Sequence, residues 1–383
     1  MASAGLVVIG SGPAGVSAAD AFRQHTPQLP VRIVTEDAAA PYFRPPLSKE
    51  YLRGDDSDIN LHPADWFDDH SIAVTRNSTV CDIDISGKTV RDTDGVRYEY
   101  QWLVLTCGAG PTPLPVPGGQ SALLLRSLAD AARLRAAARH SATAVVVGAG
   151  FIGCEAAASL ALQGVSTIVV SPESVPQAVR LGSDVGHRIV DLLADAGVSY
   201  AGGVTVTGLG DGQVRLDNGV TLDCDLVLTA IGIAPRSGLA EAAGITTIGG
   251  RIAVDEHQRT SAENVFAAGD VALAHNPTAG RRVAVEHWQD AVDQGEVAGT
   301  NAAGGSAAWD SVPGFWTTIG DATLKYHAWG DGFHRSRLID HDHGFTVWYE
   351  TEGKVVGVLT LNADEDYARA EALIRHGDPV PVG

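Results

Sequence analysis

Short, almost uninterrupted apolar runs alternate with stretches whose apolar positions recur every three or four residues along much of this 383-residue chain. Leu6-Val-Val-Ile9 is too uniformly apolar for a strand with one wet face. It predicts a parallel strand covered on both sides, running into an Ala-rich helix from Pro13. The same pairing recurs at Ala144–Val147 and the Ala-rich stretch beyond Gly153. Further strands are predicted over Val31–Glu36 and Ser166–Val170, and over Leu103–Thr106 and Leu226–Thr229, which lead to Gly108 and Gly232. Val265–Ala268 reads as a strand, with Gly269-Asp270 as its turn into a helix, and a helix is expected from Trp288 through Val292. Beyond Val312 the pattern changes. Phe345–Glu350, a turn at Thr351–Gly353 and Val355–Leu361 alternate as a hairpin, and Ala363–His376 predicts a helix packed on it. The fold class is α/β: two parallel-sheet domains and a small α+β C-terminal domain.

Charge and composition remove several functions. Asp plus Glu number 46 against 27 Lys plus Arg, a net charge of −19 that argues against nucleic-acid binding and adhesion to anionic membranes. A hydrophobic fraction of 45% supplies sizeable cores and excludes global disorder. No apolar run approaches the ~20 residues of a membrane helix. Met1–Gly5 lacks a basic start and a cleavage site, so a cytoplasmic setting is expected. Cys81, Cys107, Cys154 and Cys224 form no pair and no metal-ligand cluster; Cys107 and Cys154 read as inert fillers in apolar segments. His327, His334, His341 and His343 read as scattered surface histidines, and no metal site is expected.

The glycines carry the chemistry. Gly10-Ser-Gly12-Pro13-Ala14-Gly15 joins the first strand to its helix: Gly10 for the tight turn, Gly12 for close approach of a diphosphate, Gly15 for helix–strand packing. Glu36 closes the next strand about twenty residues on, where a carboxylate binds a ribose diol. A second fingerprint reads Gly148-Ala-Gly150-Phe151-Ile152-Gly153-Cys-Glu155. Two fingerprints point to two dinucleotides, which makes the two sheet domains Rossmann-like dinucleotide-binding domains, and FAD plus NAD(P)H is the economical pair. The second site ends its strand in Ser171-Pro-Glu173, so Glu173 reaches the ribose or Ser171 replaces the acid. No Arg or Lys lies between Gly164 and Arg180 to clamp a 2′-phosphate, which favours NADH over NADPH.

These motifs, with Pro41-Tyr-Phe-Arg44-Pro-Pro-Leu-Ser-Lys49, Asn264–Ala272 and Val285-Glu286-His287-Trp288, occur in one order along nearly the whole chain. The chain resembles the FAD-dependent ferredoxin, rubredoxin and putidaredoxin reductases, the group that also contains apoptosis-inducing factor. The resemblance implies that Arg44 and Arg126 bind the phosphate or adenine side of FAD. Lys49 would lie beside flavin N5 and pair with Glu155, which would face the nicotinamide. Gly269-Asp270 would meet the ribityl chain, Glu286, His287 and Trp288 the pyrimidine, and Phe315 and Trp316 the ring face. Ala109 and Gly232, at the crossovers, complete the expected cofactor contacts. The plainer alternatives are a helix cap for Asp270, surface ion pairs for Arg44 and Arg126, an exposed Lys49, a first-turn acid for Glu155 and core packing for Trp288, Phe315 and Trp316.

The resemblance also implies an FAD domain of residues 1–112 and 237–311, an inserted NAD(P)H domain of 113–236, and a C-terminal domain of 312–383 that covers the flavin and supports docking. Related enzymes carry a Cys-x4-Cys pair or a single redox Cys after the ribose acid. This chain has Pro46-Leu-Ser-Lys49 there, so electrons should pass directly to an external carrier, a ferredoxin or similar iron–sulfur protein serving an oxygenase or cytochrome P450. An NAD(P)H oxidase or quinone (diaphorase) reductase and an apoptosis-inducing-factor-like redox sensor are the competing readings, and monomer and homodimer stay open. Ferredoxins are generally acidic, so the net charge opposes their docking unless charge is segregated. From Ser311 to Gly344 three cations (Lys325, Arg335, Arg337) face four acids (Asp321, Asp331, Asp340, Asp342), near balance. That segment, with Arg281 and Arg282, is the expected docking region.

Overall fold

A computed structural model describes residues 4–55 and 58–381, so the first three residues of the Met1–Gly5 lead lie outside the described residues. The chain divides into two units. One takes the chain up to Phe43, Ile59–Gly110 and Ala234–Gly314; the other takes Arg44–Asp58, Pro111–Ile233 and the chain from Phe315.

In the first unit the predicted strands form a parallel sheet. Gly5–Ile9 lies between Val31–Val34 and Arg97–Leu105, with Ile72–Thr75 and Val265–Ala267 outside them. Leu6, Val7, Val8, Leu103, Val104 and Leu105 are buried, as expected of strands covered on both faces. Two helices, Pro13–His25 and Trp288–Ala302, lie side by side on the sheet. Their approach depends on two glycines one turn apart: a Cβ on Gly295 would meet the Ala14 carbonyl oxygen at 2.2 Å, and one on Gly299 the Ala18 carbonyl oxygen at 2.2 Å.

One expectation fails here. Gly269-Asp270 does not open a helix; it turns the chain into a strand, Ala272–Asn276, paired with Arg251–Val254 and Arg281–Ala284. Short apolar runs fit a helix or a strand equally by periodicity, and open partner strands on both sides settle this one as a strand. The helix-cap alternative for Asp270 falls with it.

The second unit holds a four-stranded parallel sheet in the order Val198–Gly202, Ser166–Ser171, Thr143–Val147, Leu226–Thr229. The helix of the second fingerprint, Phe151–Leu162, follows Thr143–Val147. A small antiparallel meander spans Val206–Asp223. The C-terminal segment forms a five-stranded antiparallel sheet, with the hairpin Gly344–Thr351 and Lys354–Leu361 at its centre and the helix Asp364–His376 packed on Lys354–Leu361. Among the described residues no helix is long and apolar enough to cross a membrane, and no three His, Cys, Asp or Glu gather as metal ligands. His327 stacks on Tyr367 with ring centroids 4.4 Å apart, and His341 Nε2 is 2.9 Å from Thr346 Oγ1.

Candidate functional site

Both fingerprints fold alike. Gly10 and Gly148 take φ of +109° and +106°, the left-handed turn between strand and helix. Gly12 and Gly150 then start the helices, and neither helix has a side-chain cap. Their first N–H groups are available to an anion, and the helix dipoles favour one there. Around the second turn the backbone is bare. A Cβ on Gly150 would touch only the Ala230 carbonyl oxygen at 3.8 Å and Gln177 Nε2 at 3.9 Å, and one on Gly232 would meet nothing within 4 Å. The donors and the room fit a dinucleotide diphosphate.

In the first unit Pro13, Ala14 and Gly15 form the first helical turn, and Ser11 Oγ donates to Thr35 Oγ1 at 2.9 Å. Glu36 is exposed two residues past its strand and forms an ion pair with Arg236, a cation the sequence reading did not place. Gly269 N–H donates to Gln294 Oε1 at 2.9 Å, joining the Gly269-Asp270 turn to the long helix. Arg251 bridges the Asp270 carbonyl oxygen and the Glu286 carboxylate. His287 is the residue before that helix and Trp288 its first, with the Trp288 ring edge-on to Phe43 at 4.7 Å between centroids. Ala109 is buried near the end of the segment Ile59–Gly110.

In the second unit Arg44 leads into the short 3-10 turn Pro45–Ser48, and Lys49 follows it. Arg126 is half-buried just ahead of the helix Leu128–Ala138, which Ser127 caps. Lys49 is 6% exposed and Glu155 5%, so the exposed-lysine alternative does not hold. Glu155 is the fifth residue of its helix, not a first-turn acid, and its carboxylate meets two distant chain segments. Its Oε2 accepts from Lys49 Nζ at 2.8 Å and Ser48 Oγ at 2.5 Å. Its Oε1 accepts from Thr317 Oγ1 at 2.8 Å and the Thr318 N–H at 3.0 Å. Four donors fill about the four acceptor sites a carboxylate has. Ser159 Oγ donates to the Ser48 carbonyl oxygen at 2.8 Å, tying the Lys49 turn to the same helix.

The sequence reading paired Lys49 with Glu155 but missed Ser48, Thr317 and Thr318. Ser48 sits inside the motif string beside Lys49; no local signal marks Thr317. Phe315 is buried, and its ring lies 4.7 Å from Phe151 and 5.1 Å from Tyr326; Trp316, next along the strand, points the other way and is 39% exposed.

At the end of the second strand Ser171 is buried and accepts the Glu173 N–H at 3.3 Å. The Glu173 carboxylate accepts the backbone N–H groups of Gln177 (3.2 Å) and Val179 (3.1 Å). Gly153 and Glu155 are buried, while Ile152 is 38% exposed beside the bare turn. Burial pushes the Cys154 thiol up to about 12 and the Cys107 thiol to about 11.

A family model described as pyridine nucleotide-disulphide oxidoreductase matches residues 4–295. Rhodocoxin reductase of Rhodococcus erythropolis is 33% identical over 96% of this chain and 89% of its own length. A rubredoxin-NAD(+) reductase of Pseudomonas putida is 32% identical over 84% of this chain and 85% of its own. Among solved structures, the reductase in a covalent putidaredoxin reductase–putidaredoxin complex superposes with a TM-score of 0.93 at 28% identity, covering 99% of this chain and 95% of that one. The chain belongs to the pyridine nucleotide-disulphide oxidoreductase family, in its ferredoxin and rubredoxin reductase group.

Proposed function

We propose that this member of the group is an NADH-dependent, ferredoxin-type reductase, delivering electrons to an iron–sulfur carrier that serves an oxygenase or cytochrome P450. FAD, held by the residues named below, would supply the chemistry that converts a two-electron hydride donor into single-electron delivery. The observation that carries the reading is the pair of glycine turns running into uncapped helices, in a chain whose cysteines lie apart from any redox pair.

The residues divide the work. Gly10, Gly12, Pro13, Ala14 and Gly15 hold the FAD diphosphate, with Glu36 at the ribose and Arg44 and Arg126 toward the phosphate or adenine side. Ala109, Gly269, Asp270, Glu286, His287, Trp288 and Trp316 line the rest. Gly148, Gly150, Phe151, Ile152, Gly153, Ser171, Glu173 and Gly232 form the NADH site. Lys49 brings an ammonium toward the reacting end, and Glu155, with its four donors, holds that ammonium in place. The domains would be 1–112 with 237–311 for FAD, 113–236 for NADH and 312–383 for the C-terminal part, in a cytoplasmic setting.

A carrier panel tests the reading. NADH and NADPH oxidation is measured with [2Fe–2S] and other ferredoxins, rubredoxin, quinones and O2. Cytochrome c reduction that needs an added ferredoxin, with NADH the better donor, is expected. Rapid oxygen consumption without a carrier would make the protein an oxidase. A slow, long-lived charge-transfer species with NADH would make it a redox sensor.

A further inference from the structure

We propose that Arg180 is a binding residue for the diphosphate of the nicotinamide dinucleotide, presented by a loop that Glu173 and Gln177 fold against the second glycine turn. The inference rests on the assignment of that turn to NADH.

The loop from Glu173 to Leu181 is tied down at both ends. Glu173 accepts the N–H groups of Gln177 and Val179, so its carboxylate shapes the loop instead of standing free at the strand end. Gln177 adopts a left-handed backbone (φ +57°), which is strained for a non-glycine residue and is kept where surroundings demand it. What it gains is a contact with the fingerprint: its Nε2 donates to the Ala149 carbonyl oxygen at 3.1 Å, between Gly148 and Gly150. The short helix Ala178–Leu181 starts at this residue and carries Arg180.

Arg180 is exposed, yet its guanidinium is placed. Its Cζ lies 5.3 Å from the Phe315 ring centroid, 5.7 Å from Phe151 and 5.8 Å from Tyr326. Phe151 is the first residue of the fingerprint helix, so the cation packs on the ring carried by the turn whose N–H groups are expected to receive a diphosphate. The guanidinium partly offsets the rise that burial imposes on the Tyr326 phenol. Among the described residues no carboxylate pairs with Arg180, although acids outnumber bases 46 to 27 in this chain. A guanidinium stacked on rings with N–H edges to spare is suited to bidentate capture of phosphate oxygens.

The test uses the FAD-loaded protein with ferricyanide as acceptor, comparing Arg180→Ala and Arg180→Lys with the parent. Arg180→Ala should raise KM for NADH and NADPH alike by about tenfold or more, with kcat changed less than twofold. Arg180→Lys should fall between, because it keeps the charge and loses the fork. Inhibition by ADP-ribose, which carries the diphosphate without the nicotinamide, should weaken by the same factor. KM within twofold of the parent, a rise confined to NADPH, or a fall in kcat alone would each overturn the proposal. A parent that cannot oxidise NADH would overturn it together with the assignment of the turn; a working parent with an unmoved variant overturns it alone.

Discussion

Lys49 Nζ stands 2.8 Å from Glu155 Oε2 with both side chains under 10% exposed, a buried ion pair bridging the turn after Pro45–Ser48 and the second fingerprint helix. Such a pair gains little net stability over an apolar replacement, but removing one partner strands a charge at a cost of ~3–5 kcal/mol. Its retention within a network of Ser48, Thr317 and Thr318 fits a group that must be held in one position.

Lys49→Met should therefore leave FAD bound but slow reduction of the flavin by NADH, by about tenfold or more if its charge acts on the reacting end. Stopped-flow absorbance at the flavin band reads this directly. An unchanged rate would remove Lys49 from the mechanism.

Thr317→Val takes one donor from Glu155 Oε1 inside the core and should destabilise the protein by ~1–3 kcal/mol. Thr317→Ser keeps the hydroxyl and should recover most of that loss. Urea midpoints of the three proteins check it, and a Thr317→Val midpoint equal to the parent's would show that Glu155 does not need this hydroxyl.

Arg335 and Arg337 lie on the outer strand Arg335–His341, and Arg335 pairs with Glu350 at 3.3 Å. Reversing both to Glu should weaken carrier-dependent turnover severalfold, more at low salt, and spare ferricyanide reduction. An equal effect on both acceptors would remove this strand from docking.

The thiols give a pH prediction. Cys107 and Cys154 are raised from near 9 to about 11 and about 12, so at pH 8 both stay protonated and unreactive, while exposed Cys81 labels readily. The sign for stability follows. Unfolded thiols lose their protons near pH 9 while the folded ones hold them. These two groups therefore cost nothing below that pH and erode stability as pH rises from about 9 to about 12. Rapid labelling of more than one thiol in the native protein at pH 8, or denaturation midpoints flat across that range, would contradict it.

The parts readable in advance are those that neighbours along the chain dictate. An apolar run, a glycine at a left-handed turn and an Ala-rich stretch together specify strand, turn and helix through local sterics and burial, so both fingerprints and the C-terminal hairpin emerged directly. The string ending in Lys49 marked that residue as well. Where periodicity is ambiguous, after Gly269-Asp270, the sequence predicts a helix and the partner strands make Ala272–Asn276 a strand.

By itself, then, the sequence determined the α/β class, the two dinucleotide turns, the lack of a paired thiol and the family. Tertiary structure alone decided who surrounds the charged groups. Thr317 and Thr318 reach Glu155 from more than 160 positions away, Arg236 reaches Glu36 from 200, and Arg180 finds rings from two distant segments. Backbone geometry follows from interactions within a few residues. Satisfying a buried carboxylate or seating a guanidinium depends on whichever side chains the packed fold carries there, and no spacing rule encodes that.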